Sequence, residues 1–349
     1  MIARKDYLEK LVAWKDERVI KVVTGIRRCG KSTLLDLYKE YLKGEGAGGQ
    51  IVSVNFEELE NERLLDYREL YAHLKERLHK GKTTYIFLDE VQKVDGFEKA
   101  VDSLYAKENV DIYITGSNSR LLSGELATLL SGRYVEIGML PFSFAEFYES
   151  QGGGDADRLF AEYMASGSFP YIATMDRTKE KVDMYLEGIY NTVIVKDIEE
   201  RQSRRERDPD ERRVTDISLL KNISRFLAGC VGSPVSVKRI ADYITSSGRK
   251  VSKNTIDDYI EALVRAYVFY RAERYDVEGK QLLKQSGKLY IVDPGLRRYL
   301  LPKREYDLGY TLENVVYLEL LRRGNAVNVG KVGQTEVDFV ARKGDAVGY

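Results

Sequence analysis

One short run of this sequence has the residue types and spacing needed to hold a phosphate chain. Residues 25–32 read GIRRCGKS, which fits the pattern G-x-x-x-x-G-K-[ST]. Gly25 and Gly30 permit the backbone N–H groups of such a loop to turn inward around phosphate oxygens. Lys31 extends an ammonium group toward the β- and γ-phosphates, and the Ser32 hydroxyl is a ligand for Mg²⁺. The predicted nucleotide-binding residues are Gly25, Arg28, Cys29, Gly30, Lys31, Ser32 and Thr33.

Two adjacent acids are suited to hydrolysis at such a site. The segment TTYIFLDE (83–90) is mostly apolar until it ends in Asp89 and Glu90. Asp89 is a candidate to hold the water shell of Mg²⁺, together with Ser32, and Glu90 is a candidate general base that polarises the attacking water. We therefore predict Mg²⁺-dependent binding and hydrolysis of ATP.

Two further segments contain candidates for contact with the transferred phosphate. The segment ITGSNS (114–119) ends in small polar side chains, and Thr115, Ser117 or Asn118 is expected to sense the γ-phosphate. The sequence does not choose among the three, and we take Asn118 as the catalytic candidate. Arg133 is a candidate to stabilise phosphate charge, in its own chain or across a subunit interface. The alternative for Arg133 is a structural ion pair.

These residues require a scaffold that brings strand ends together. Apolar strands are predicted at residues 19–25, 51–56, 83–90, 111–117 and 133–139, with helical segments between them. Such alternation is typical of a parallel sheet covered by helices on both faces. The helix predicted at residues 31–43 would add its amino-terminal dipole to the phosphate site.

The pattern changes after a mixed-charge run at residues 199–213. Three amphipathic helices are predicted at residues 215–230, 235–248 and 251–267, followed by strands at 268–276 and 288–293. This order is typical of a winged helix-turn-helix. We predict an α/β protein with four regions: an ATPase core (1–150), a helical extension and charged linker (151–213), a winged helix (214–300) and a final α/β segment (301–349).

These motifs closely resemble a family of prokaryotic AAA+-like P-loop ATPases that usually carry a carboxy-terminal domain of unknown function. The runs that carry the resemblance are VIKVVTGIRRCGKSTLL, IFLDEVQ, ITGSNSRLLS, SGRYVEIGMLPFSFAEF, GSFPYIA, VIVKDI, KLYIVDPGLR, GYTLENVVYLELLRRG and EVDFVA. They cover nearly the whole chain. The resemblance implies binding of ATP and Mg²⁺, ATP hydrolysis and a last part similar to restriction-endonuclease-like folds.

A nuclease of that fold uses two carboxylates and a lysine to bind Mg²⁺ and activate water. Glu313 and Asp338 match the two carboxylate positions. The third element, an acid-or-Gln-x-Lys on the next strand, is absent before Tyr349. We therefore expect a partial, truncated nuclease-like domain with a vestigial site and no nuclease activity.

The scarce residues exclude other chemistries. Among 349 residues there are two cysteines, Cys29 and Cys230, and two histidines. A disulfide framework, a Cys/His zinc site and a histidine-dependent hydrolase are therefore not expected. No apolar run is long enough to span a bilayer, and the first residues are charged throughout, so we expect a cytoplasmic protein without membrane contact.

The formal net charge is zero, with 55 basic and 55 acidic residues, but the charges are unevenly distributed. Residues 51–200 have a net charge of −12 and residues 201–300 have +8. The predicted winged helix favours a polyanion such as double-stranded DNA, although its candidate recognition helix also contains acids. A protein partner and a homo-oligomer remain open, as does a slow ATP-gated switch in which turnover is unimportant.

Overall fold

The chain forms two compact units in the computed structural model. The structure describes residues 2–116, 130, 132–192, 216–246, 248, 251–279, 281–301, 308–333 and 335–349. The amino-terminal unit is Met1–Met139 and the carboxy-terminal unit is Leu140–Tyr349.

The amino-terminal unit alternates strands and helices. Its strands are β1 (Ile20–Thr24), β2 (Ile51–Asn55), β3 (Thr84–Asp89), β4 (Val110–Thr115) and β5 (Tyr134–Gly138). Its described α-helices are α1 (Lys5–Ala13), α2 (Lys31–Gly44), α3 (Tyr67–Lys75) and α4 (Phe97–Tyr105). The strands lie in the order β2-β3-β4-β1-β5, and the pairings are parallel. The predicted parallel α/β sheet is therefore confirmed.

The apolar pattern explains this arrangement. Every residue of β1 and β3 is buried, as expected for central strands covered on both faces. The helix α4 buries Phe97, Ala100, Val101 and Leu104, whose spacing places them on one face of the helix. Because all five strands run in the same direction, the residues that follow β1, β3 and β4 meet at one edge of the sheet.

The carboxy-terminal unit begins with helices. These are α5 (Phe144–Ser150), α6 (Ala156–Ser166), α7 (Pro170–Thr174), α8 (Lys179–Asn191), α9 (Ile217–Gly229), α10 (Val237–Ser246) and α11 (Lys253–Arg265). The remaining elements are β6 (Phe269–Asp276), β7 (Gln281–Ile291), α12 (Pro294–Leu300), α13 (Leu308–Arg322), β8 (Ala326–Val332), β9 (Thr335–Lys343) and β10 (Ala346–Gly348). The order of α9–α11 followed by β6 and β7 is the order expected from the sequence.

One sheet connects the predicted wing to the last residues of the chain. The strands lie in the order β10-β9-β8-β6-β7. The hairpin strands β6 and β7 are antiparallel, whereas β6 pairs with β8 in parallel. The regions predicted at 214–300 and 301–349 thus share a sheet within the carboxy-terminal unit.

Two of the runs that carry the family resemblance lie far apart in the chain and are joined at Asp293. Its carboxylate accepts hydrogen bonds from the backbone and hydroxyl of Ser168, and from the backbone N–H of Leu296 at 2.6 Å, where it caps α12. Burial raises the pKa of Asp293. Gly167, with φ +101°, leaves no room for a side chain, since a Cβ there would lie 2.7 Å from an Asp293 oxygen. The runs GSFPYIA and KLYIVDPGLR are therefore parts of one packed contact.

Within the described residues, no helix is both long and apolar enough to cross a membrane.

Candidate active site

The glycine-rich loop, residues 25–30, joins β1 to α2 and fits only with glycine at two positions. Gly25 has φ +141°, and a Cβ there would lie 2.1 Å from the carbonyl oxygen of Met139. Gly30 has φ +103° and is the residue that precedes the first turn of α2. Arg28 adopts φ +65° and is exposed. These left-handed conformations are available to glycine at little cost and are strained for other residues.

The side chain of Lys31, the residue after this loop, packs against the loop's carbonyl groups. Its side chain is only 3% exposed, and Nζ donates to the carbonyl oxygens of Gly25 at 3.1 Å and Ile26 at 3.3 Å. The same Nζ lies 4.0 Å from Oε1 of Glu90. Lys31 is the first residue of α2, and the next two residues of that helix are Ser32, which is exposed, and Thr33, which is half-buried. The structure therefore brings Lys31 and Glu90 together.

Arg4 is a contact of the loop that the sequence pattern did not reveal. Its Nη1 donates to the carbonyl oxygen of Cys29 at 3.2 Å, and its guanidinium lies 4.9 Å from the ring centre of Tyr7 in α1. Cys29 is fully buried, and the contact is made to its backbone carbonyl. No local motif connects two residues 25 positions apart, and only the folded chain brings them together.

The hydroxyl of Thr115 contacts both acids at the end of β3. It donates to Oδ1 of Asp89 and accepts from the backbone N–H of Glu90 at 3.0 Å. Thr115 is fully buried at the end of β4, the strand next to β3. The sequence placed Thr115 among three candidates for sensing phosphate; its hydroxyl is instead engaged with Asp89 and Glu90.

Glu90 has a second side-chain partner in the same turn. Its backbone adopts φ +57°, which begins a short 3-10 turn over Val91–Lys93. This turn places the side chain of Gln92 beside that of Glu90, and the amide Nε2 of Gln92 donates to Oε2 of Glu90. Both residues are buried, at 4% and 7% exposure. The two carboxylate oxygens of Glu90 therefore have different neighbours, Gln92 at Oε2 and Lys31 nearer Oε1.

The donor set at this edge of the sheet suits Mg²⁺. The ion prefers oxygen ligands and keeps several of its waters. Ser32 offers an exposed hydroxyl and Asp89 a carboxylate that Thr115 orients. Hydroxyl and carboxylate oxygens beside a phosphate-binding loop fit the ion that accompanies ATP.

Arg133 does not join this group. It precedes β5, and its carbonyl oxygen accepts from the backbone N–H of Ile20, the first residue of β1. The loop follows the other end of β1, roughly 15 Å further along at ~3.3 Å per residue. Arg133 lies 3.9 Å from Asp102 and over the ring of Tyr105, and it is half-exposed.

Two predicted candidates, Ser117 and Asn118, lie outside the described residues. The charged linker at 199–213 and the run VIVKDI at 193–198 also lie outside them.

A second polar cluster lies in the carboxy-terminal unit around Lys288 of β7. Its ammonium contacts Glu313 at 3.0 Å, Glu336 at 2.7 Å and Asp338 at 3.8 Å. Tyr290 donates to the same oxygen of Glu313 at 2.7 Å. The structure thus brings Glu313 and Asp338 to one lysine. That lysine comes from an earlier strand than the one in which a nuclease motif would place it.

The carboxylates of this cluster are largely occupied by cations. Both oxygens of Glu336 are paired, one with Lys288 and the other with Arg274 at 3.0 Å. Burial opposes the charge on Lys288, but its hydrogen bonds to Glu336 and Glu313 outweigh burial and raise its pKa. Across the described part of the chain, no three His, Cys, Asp or Glu side chains are placed to hold a metal ion.

Comparison with known proteins agrees with this geometry. A family model described as an AAA domain matches residues 17–148, and a model described as a domain of unknown function (DUF8612) matches residues 157–307. An uncharacterized protein of Haemophilus influenzae is 41% identical, covering 100% of this chain and 86% of the relative. The uncharacterized protein MJ1544 of Methanocaldococcus jannaschii is 32% identical, and the match covers 92% of this chain and 71% of the relative.

A solved structure shares the fold. The Walker-type ATPase PABY2304 of Pyrococcus abyssi aligns with a TM-score of 0.53 at 17% identity, covering 86% of this chain and 96% of that one. The loop, the acidic pair, the parallel sheet and these relatives together lead to one assignment. The chain belongs to the family of AAA-domain P-loop ATPases that carry a carboxy-terminal domain of unknown function.

Proposed function

We propose that this protein binds ATP with Mg²⁺ and hydrolyses it. The observation that carries the proposal is the meeting of Lys31 with Glu90, at 4.0 Å, directly beside a glycine-restricted loop. A cation for the phosphates and a carboxylate for water then lie within one site. Loops of this kind bind nucleotide phosphates through backbone N–H groups and the lysine.

Each residue has a distinct part in the proposed reaction. Lys31 would bind the β- and γ-phosphates, and Ser32 with Asp89 would hold Mg²⁺. When bound, that ion neutralises charge on the phosphates. Glu90 would orient the attacking water and accept its proton. Thr115 would keep the two acids at the end of β3 in fixed positions through its two hydrogen bonds.

The test separates binding from turnover. Lys31→Ala should abolish binding of a fluorescent ATP analogue, because the buried ammonium is the predicted phosphate contact. Glu90→Gln should bind the analogue as the wild type does but lose turnover by about 10²–10⁴-fold, the usual contribution of a general base. Retained affinity in Lys31→Ala or undiminished turnover in Glu90→Gln contradicts the assignment.

The second candidate is a slow ATP-gated switch. In that case ATP binding would alter the carboxy-terminal unit or its partner, and turnover would stay far below the usual range of about 1–10³ s⁻¹ with or without DNA. The steady-state rate measured in both conditions distinguishes a switch from an ATPase that works by repeated turnover.

Double-stranded DNA is the proposed polyanionic partner of the region at 214–300. The observation that favours it is the basic excess of that region, with 15 basic and 9 acidic residues. Lys253 and Asn254 are exposed in the first turn of α11, the predicted recognition helix. Glu261 of the same helix is paired with Arg271 at 2.7 Å, which offsets one of its acids.

We also propose roles for Arg133 and for the cluster around Lys288, neither of which takes part in the ATP site of its own chain. Arg133, half-exposed at the far end of the sheet, would act on phosphate only across a subunit interface in a homo-oligomer. The cluster of Glu313 and Asp338 with Lys288 would stabilise the sheet as an ion network rather than cleave nucleic acid, because its carboxylates are largely paired with cations.

A further inference from the structure

Gln92 is a buried polar side chain that none of the motifs explains. It lies two residues after Glu90, in the 3-10 turn Val91–Lys93, and is 4% exposed. Its amide Nε2 donates to Oε2 of Glu90. A buried carboxylate that accepts an amide hydrogen bond is held in one orientation, because rotating away would leave both polar groups without this partner.

The hydrogen bond distinguishes the two oxygens of Glu90. Oε2 is directed toward Gln92, and Oε1 is the oxygen that lies 4.0 Å from Nζ of Lys31. Lys31 directly follows the loop that would hold the phosphates, so Oε1 faces the position of the reacting group. A general base must present one oxygen within hydrogen-bond reach of the water that it deprotonates.

The backbone of this turn is fixed independently of Gln92. Glu90 adopts a left-handed conformation, φ +57°, and its N–H is held by Thr115 at 3.0 Å. With the backbone so fixed, the remaining freedom of Glu90 is the rotation of its side chain. That rotation is what the amide of Gln92 restrains.

We propose that Gln92 is a positioning residue for Glu90: by binding Oε2 it turns Oε1 toward the loop as the oxygen that accepts the water proton. This inference rests on the proposed function, because it assigns a role within the same hydrolysis. In the reaction, the water proton passes to Oε1 and the hydroxide oxygen forms the bond to the γ-phosphorus, while the bond to the β-γ bridging oxygen breaks. Gln92 neither gains nor loses a proton.

The test variant is Gln92→Met, which keeps the length of the side chain and removes the amide donor. We expect kcat to fall about 10–100-fold, since a small misplacement of a catalytic group costs on the order of 10²-fold. KM for ATP and affinity for a fluorescent ATP analogue should stay within about twofold, because Gln92 contacts the base and not the loop. Lys93→Ala, in the same turn but exposed, is the matched control and should keep wild-type kcat.

A double variant separates positioning from a general structural effect. In Glu90→Gln the base is already lost, so adding Gln92→Met should change the residual rate by less than about twofold. If the two losses multiply instead, Gln92 does not act through Glu90 and the proposal is overturned.

The remaining outcomes are also decisive. Wild-type kcat in Gln92→Met overturns the proposal while leaving ATP hydrolysis intact. If Gln92→Met fails to bind the ATP analogue, Gln92→Glu replaces it as the test variant, because glutamate has the same size as glutamine and is also polar. We expect Gln92→Glu to lose kcat while it keeps its affinity for the analogue. Wild-type kcat in Gln92→Glu overturns the proposal. A wild-type protein whose turnover is unchanged by Lys31→Ala would instead contradict the proposed function itself.

Discussion

At the residue scale, the hydroxyl of Thr115 is a single group that contacts both acids of the candidate site. It joins the ends of β3 and β4 by donating to Asp89 and accepting from the backbone of Glu90. When a buried polar group loses such a hydrogen-bond partner, the free energy of unfolding falls by about 1–3 kcal/mol. At this position the loss would also release the two acids proposed to hold Mg²⁺ and to activate water.

We therefore expect Thr115→Val to lower kcat at least about tenfold and to raise the Mg²⁺ concentration needed for half-maximal rate. Valine keeps the β-branched shape, so the strand should persist. The matched control is Thr84→Val at the start of β3, where the hydroxyl accepts from the backbone of His79 at 2.9 Å. That variant should lose stability without losing kcat at 25 °C. Equal kinetic effects in the two variants would contradict the role of Thr115.

At the residue scale, the sequence predicted what lies close together in the chain. The loop and the pair Asp89-Glu90 are contiguous motifs at strand ends, and the structure brings them together. Arg4 and Lys288 could not be found in this way. Arg4 reaches Cys29 across 25 positions, and Lys288 reaches Asp338 across 50, so no local spacing reports either contact.

At the scale of elements, residues 166–168 and the start of α12 approach each other closely in the carboxy-terminal unit. A Cβ at Gly167 would lie within 2.8 Å of both Asp293 oxygens, and one at Gly295 would lie 2.3 Å from the Ser166 carbonyl oxygen. Both glycines are therefore required by close approach. The sequence showed the two runs as markers but not that they touch.

Gly167→Ala should lower the melting temperature of the protein by several degrees. The strained φ alone costs about 1–3 kcal/mol, and each kcal/mol corresponds to roughly 2–4 °C in a unit of 150–250 residues. Gly188→Ala is the control, because Gly188 lies within α8 and a Cβ there would meet nothing within 4 Å. Alanine should stabilise that helix by about 0.5–1 kcal/mol. Calorimetry in which Gly167→Ala melts at or above the wild-type temperature contradicts the close packing of Gly167 against Asp293.

The element pattern was predictable in the amino-terminal sheet, including β2 and β5, most of whose residues are not fully buried. The five strands of the amino-terminal sheet are apolar runs, and their observed bounds lie within one or two residues of the predicted ones. The parallel pairing of β6 with β8 was not predictable, because it joins strands more than 50 residues apart and depends on α12 and α13 between them.

For the whole molecule, the uneven distribution of charge leads to a prediction about partners. We expect duplex DNA to bind with an affinity that falls steeply with salt concentration. Lys253→Glu, at the exposed start of α11, should weaken binding and reduce the salt slope by about one, as for loss of one phosphate contact. Lys80→Glu, at a residue that is also exposed but lies in the amino-terminal unit, is the control. Fluorescence anisotropy across a salt series provides the measurement; salt-independent or absent binding would point to a protein partner.

The shared sheet of the carboxy-terminal unit also has a consequence for folding during synthesis. When the ribosome has completed β6 and β7, the β8 side of β6 is an unpaired edge, and it stays so until residues 326–332 have emerged. Unpaired strand edges are sites of aggregation in partly folded chains. At about 5–20 residues per second, the interval is several seconds. A pause in translation between residues 291 and 326 should therefore lower the yield of soluble protein more than a pause placed before β6.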